Sequence, residues 1–97
     1  MKLLTKEIRE RLPQLRDTQH QTDPVAQVKF FAPWSNWTWY GIEFDGYDLF
    51  FGLVNGFDCE LGYFILSELE AARGPGGVRI ERDIYFDPTP ISQLKRK

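Results

Sequence analysis

Between Trp37 and Phe64 the chain reads WTWYGIEFDGYDLFFGLVNGFDCELGYF: three apolar and aromatic runs, broken twice by an Asx-Gly pair, Asp45-Gly46 and Asn55-Gly56. The pattern predicts strands over residues 37–44, 48–54 and 57–65, joined by two tight turns. Gly with Asn or Asp accepts the positive φ of a two-residue type I′ turn. The aromatic and branched residues between suit a pleated, partly buried surface.

Register follows from turn length. With two residues in the Asn55-Gly56 turn, Val54 pairs with Phe57, Gly52 with Cys59 and Phe50 with Leu61, all on one face. The opposite face then sets Leu53 by Asp58 and Phe51 by Glu60, so the first face is the expected core, because charge resists burial. The Asp45-Gly46 turn leaves two registers open. A two-residue loop puts Trp39 across from Gly52 and turns Trp37, Trp39 and Gly41 to the core. A three-residue loop with Gly46 in a bulge sends both tryptophans to the mixed face with Phe51 and brings Tyr40 and Ile42 into the core.

The flanks follow helical and turn signals. Leu4, Ile8, Leu12 and Leu15 make an apolar stripe, and Thr5 caps a predicted helix over residues 6–12 that Pro13 ends. The expected role of this stripe is to cover the sheet rather than to dock a partner. A polar loop (16–24) leads to a predicted strand, VAQVKFFA (25–32), closed by Pro33. Ser67 followed by Glu70 is a capping-box pattern, predicting a short helix from Glu68 that stops at Gly74-Pro75. Residues 80–86 read as a further strand or extended segment. Thr89-Pro90 resembles a cap and first helical position, with Ile91 and Leu94 as anchors, and the tail 95–97 is expected to fray. The fold class is therefore α+β: an antiparallel sheet of about four to five strands with a central three-stranded meander, flanked by short helices, in one domain over residues 1–97.

Composition changes this picture little. Apolar content of 42% and charged content of 27% describe an ordinary globular chain. The net charge of −2 disfavours a general nucleic-acid binder, which works by neutralising phosphates. One cysteine excludes an intramolecular disulfide, and no apolar run suits a signal peptide or a membrane span. A cytoplasmic location is expected.

Candidate chemistry is sparse. His20 stands alone among Gln, Thr and Asp and reads as a solvated loop residue. Cys59 lies between two acids, which raise a thiol's pKa rather than activate it, and its strand position points it at the core. Asp45, Asp48, Asp58 and Glu60 sit near turns as turn formers and solubilising groups. RGPGG (73–77) lacks the Gly-Lys-Ser/Thr ending of a phosphate loop. No cofactor, metal or catalytic residue is expected. The candidate binding surface is Trp34, Trp37, Trp39, Tyr40 and Phe51 with the acids Asp58 and Glu60. Such a patch suits a protein partner, or competition for a basic nucleic-acid groove with carboxylates standing in for phosphates. The bland alternative makes these rings core, since a small chain needs large side chains to bury. A single-stranded nucleic-acid binder stacking bases on Trp37 and Trp39 is the other functional reading, with an enzyme third.

Together, LLTKEIRERLP (3–13), VKFF (28–31), NWTWY (36–40), EFDG (43–46), FFGLV (50–54), ELGYF (60–64), LSELE (66–70), RGP (73–75) and IERDIYF (80–86) resemble a family of small bacterial proteins, domain of unknown function 2958. The resemblance covers nearly the whole chain. It implies a protein common on plasmids, phages and related mobile elements, with no established enzymatic activity or catalytic motif. Similar proteins are associated with inhibition of CRISPR–Cas9, though no inhibitor motif maps onto this sequence residue by residue. The leading expectation is a non-enzymatic protein-interaction module of a mobile element that modulates a host system.

Overall fold

The computed structural model describes residues 2–95; Arg96 and Lys97 of the expected frayed tail lie outside the described residues. Five strands form one antiparallel sheet in the order β5-β4-β3-β2-β6: β2 is Val28–Phe31, β3 Thr38–Phe44, β4 Leu49–Asn55, β5 Cys59–Ile65 and β6 Glu81–Arg82. Two short strands, β1 (Val25–Ala26) and β7 (Thr89–Pro90), pair separately. The helices are α1 (Lys6–Arg11) and α2 (Leu66–Ala71). The class is α+β, with β3-β4-β5 as the central meander.

Both meander registers differ from those expected. Neither turn is a two-residue type I′ turn, since φ is negative at Asp45, Asn55 and Gly56. At the second hairpin, Asn55 pairs with Cys59, Val54 with Glu60, Leu53 with Leu61 and Phe50 with Phe64. The loop thus holds three residues, Gly56, Phe57 and Asp58, and Cys59 changes face, because side-chain direction has period two. At the first hairpin, Phe44 pairs with Phe50 and Glu43 with Phe51, but beyond a bulge at Ile42 the pairs are Gly41 with Gly52 and Trp39 with Val54. The bulge absorbs one residue, so neither anticipated register holds along the whole ladder.

The expectation of a single core face is also corrected, because each face has its own core. On the first face, Val28, Phe30, Phe44, Phe50 and Phe64 pack with Leu3, Leu4, Leu12, Leu66, Leu69 and Ile80. A row of Gly41, Gly52 and Gly62 crosses this face next to Val28. The Phe50 ring fills the hollow: a Cβ on Gly41 would lie 2.9 Å from it. Phe50 meets Phe44 at 4.4 Å and stacks on Phe64 at 5.0 Å. Burying such a ring stabilises the fold by roughly 1.5–3 kcal/mol. On the second face, Ala26, Tyr40, Ile42, Leu53 and Ile91 form the other core, with Phe51, Cys59, Phe86 and Leu94 at its margin.

The helices cover the first face, as the stripe predicts. Thr5 caps α1 by accepting from the Ile8 N–H at 3.2 Å, and Leu12 is extended before Pro13. Leu4 and Leu12, flanking α1, are buried, while Leu15 falls in a turn outside both cores. The capping box does not form. α2 begins at Leu66, and Asp48 from the first hairpin accepts from the Ser67 N–H at 2.8 Å and its hydroxyl at 2.6 Å. Thr89-Pro90 is strand rather than helix start. A single 3-10 turn, Ile91–Gln93, follows it, held by Asp23, which accepts from the Ser92 N–H and hydroxyl at 2.9 and 2.7 Å. Ile91 is buried and Leu94 half-buried, as anchors should be. The predicted strand 25–32 divides at Gln27, whose N–H bonds to the Gly41 carbonyl at 2.8 Å. Only Glu81–Arg82 of residues 80–86 is strand.

Candidate binding surface

Phe57 occupies the middle of the loop between Asn55 and Cys59 and is 93% exposed. Beside it lies Trp37, edge to face at 5.4 Å, and Trp39 follows at 5.9 Å from Trp37. Trp37 packs against Gly56; a Cβ there would lie 2.4 Å from the indole. Trp37, Val54, Gly56, Phe57, Asp58 and Glu60 line an open hollow of about 230 Å³. Val54 pairs across the sheet with Trp39 on one side and Glu60 on the other, which brings the acid to the rings.

The structure therefore divides the anticipated residues. Trp37, Trp39, Asp58 and Glu60 gather around the second hairpin; the tryptophans are half-buried against the first core, and both acids are exposed. Trp34 lies against Gly74, where a Cβ would come within 2.2 Å of its ring. Tyr40 and Phe51 do not join them. Tyr40 is 8% exposed in the second core, and Phe51 sits at that core's margin. The bulge at Ile42 sets this division, since it fixes which strand positions share a face. Lys29, a basic residue of the neighbouring strand β2, lies away from these acids. It pairs with Tyr40 of β3, lies over that ring at 6.0 Å and meets Asp83 at 3.5 Å, on the second face.

Phe57 is the residue that sequence reasoning missed. Its signal was present: in NGFD the aromatic lies between turn formers, where a longer loop must display it. Glu43 is the second. It is 3% exposed, and its carboxylate accepts from the Arg16 N–H at 2.7 Å, the Thr18 N–H at 2.9 Å and the Thr18 hydroxyl. These bonds pin residues 16–18, where Arg16 holds φ of 76°. An acid inside the otherwise apolar YGIEF was the available clue. Glu43, Phe51, Leu61 and Tyr63, with Arg16 and Lys95 at the rim, line a cleft of about 280 Å³ on the second face.

His20 is exposed, and Cys59 is half-buried beside Asn55 rather than opposite Gly52. Among the described residues there is no group of three or more His, Cys, Asp or Glu side chains placed to hold a metal. Among them, too, no helix is long and apolar enough to cross a membrane. Two carboxylates have lowered pKa values: Asp45 through the Tyr47 N–H and its loop neighbours, and Asp23 through the Ser92 hydroxyl and N–H. Both stabilise loops.

No curated protein and no solved structure matches the chain. One family model does, described as a protein of unknown function (DUF2958), and it spans residues 3–96. With nearly every residue inside the match, the chain belongs to that family.

Proposed function

We propose that the protein is a non-enzymatic, cytoplasmic protein-interaction module of a mobile element, and that it meets its partner through the Trp37–Phe57 hollow. The observation that carries this reading is Phe57, which stands almost fully in water beside Trp37, itself in contact with Trp39. Leaving a phenylalanine exposed forgoes roughly 1.5–3 kcal/mol that burial on a partner would recover. Asp58 and Glu60 at the rim favour a basic surface. A groove shaped for nucleic acid is such a surface, and the family resemblance makes a host defence nuclease the first partner to try.

The test is competition. The purified protein is titrated into a Cas9–guide RNA complex at near-physiological salt while target-DNA binding is followed. The wild type should displace DNA, and Phe57→Ser should require about tenfold more protein. No displacement at saturating protein removes the nuclease as partner, and equal potency of Phe57→Ser removes the hollow as the contact. If an oligonucleotide alone quenches the tryptophans at low salt, base stacking replaces this reading.

A further inference from the structure

The two edges of the five-stranded sheet are guarded differently. β6 has two residues; its Arg82 bonds back to the carbonyls of Lys2 and Leu3, and the next residue, Asp83, pairs with Lys29. β5 has seven residues, is paired along its whole length to β4, and has no strand on its other side among the described residues. It contains no proline and no lysine, and no bulge interrupts its ladder. Proline, lysine and bulges are among the usual devices that stop an edge from pairing with another chain, and of the charged kind β5 carries one residue, Glu60. Its outward N–H and C=O groups are a ready template for one more strand.

Both faces leave room beside that edge. On the second face, Leu61 and Tyr63 are exposed next to Phe51 and form a wall of the 280 Å³ cleft. On the first face, the row at Gly62 is open: no heavy atom lies within 4 Å of where a Cβ would stand. Glu60 flanks that gap, with Asp58 just beyond the strand. An added strand alternates its side chains between these two faces. One set meets Leu61 and Tyr63 and is apolar; the other lies over Gly62 toward Glu60, which suits a long basic side chain.

We propose that β5 receives an extended segment of a partner protein by strand addition, with apolar residues toward Leu61 and Tyr63 alternating with Lys or Arg toward Glu60. The charges favour this occupant over a second copy. A second β5 brings no basic side chain of its own, so the Asp58–Glu60 pair gains nothing from self-pairing. The inference rests on the reading of the protein as an interaction module, but uses a different contact from Phe57, so the two can fail separately.

The test uses blocked peptides of about nine residues, a common strand length, titrated into the isotope-labelled wild-type protein. One alternates Val and Lys. A second has the same sequence with alternate backbone nitrogens methylated, and a third alternates Val and Glu. The Val/Lys peptide should shift the amide resonances of Cys59–Ile65 saturably and slow their hydrogen exchange. The methylated and Val/Glu peptides should bind at least about tenfold more weakly. Glu60→Lys should weaken the Val/Lys peptide by about threefold to tenfold, and Tyr85→Ser, an exposed ring beyond β6 at the opposite edge, should leave it unchanged. Equal binding of the methylated peptide, shifts that miss β5, or no saturable shift each overturn the proposal. A wild-type dimer whose protected amides are those of β5 also overturns it, by assigning the edge to a second copy.

Discussion

The two hairpins of the meander begin from the same signal and end in opposite situations. Asp45-Gly46 and Asn55-Gly56 each open a three-residue loop. The first loop is tied down on every side. Asp45 accepts from the N–H groups of Tyr47 and Asp48 at 2.8 Å and of Leu49 at 3.0 Å. The Gly46 carbonyl accepts from Arg9 of α1 at 2.8 Å, and Asp48 reaches Ser67 of α2. Even where Tyr47 is exposed, its backbone is held. The second loop meets Trp37 at Gly56, but it turns Phe57 and Asp58 outward. An Asx-Gly pair specifies that the chain reverses; the side chains after it decide whether the reversal joins the core or faces a partner.

The largest way to break the comparison lies at the bulge that belongs to the first hairpin alone. Glu43→Ala would leave the buried N–H of Thr18 and the part-buried N–H of Arg16 without that acceptor. The expected loss is about 3 kcal/mol, read as a lower urea midpoint with an unchanged slope. A loss within experimental error would mean that residues 16–18 do not depend on that carboxylate.

The glycines come next. Gly46 has φ of 89° and open space around it, so its need is conformational, whereas Gly56 has ordinary φ and is needed as a seat for Trp37. Gly56→Ala should cost about 2 kcal/mol by overpacking, and most of that cost should vanish in a Trp37→Ala background. Gly46→Ala should cost about 1 kcal/mol whatever its neighbours are. Additive Gly56 and Trp37 effects would dissolve the distinction.

These two positions also mark how far the sequence can be read. Strand existence, the α1 cap at Thr5 and the anchors Ile91 and Leu94 were legible, because each rests on local pattern. Register was not. Loop length and the bulge at Ile42 are set by packing on two faces, and a one-residue change moves Cys59 from one core to the other. The α2 cap was misread for a similar reason: Ser67 is a recognisable capping residue, but its partner, Asp48, lies 19 positions away. Of the candidate surface, only Asp58 and Glu60 lie just after the second turn in sequence; Trp37 and Trp39 reach them through the Trp39–Val54 and Val54–Glu60 pairs, and the same register turns Tyr40 and Phe51 to the other face.

A smaller effect is expected at Asp48. Asp48→Ala removes the acceptor for two donors at the start of α2 and should cost about 1 kcal/mol, the usual cost of a lost N-cap. Hydrogen exchange should quicken in Leu66–Ala71 while the second hairpin keeps its protection. Equal loosening of both hairpins would show that Asp48 acts through the whole sheet and not through the tether to α2.

The smallest effect is read in pH. Backbone donors, the Tyr47 N–H foremost, lower the Asp45 pKa in the folded protein. Its unfolded value is about 3.9, so the charged form stabilises the fold above that pH and the contribution is lost as pH falls through the folded value. Asp45→Asn keeps an oxygen for the same three donors and removes only the charge. The wild type should therefore be more stable at neutral pH, and the gap should close below about pH 4. Asp23 is lowered too, by Ser92, but it is common to both proteins and cancels in the difference. A gap that stays constant from neutral pH into the acid range would mean that shape, and not charge, holds the first loop. The contrast with the displayed second loop would then rest on the links to α1 and α2 alone.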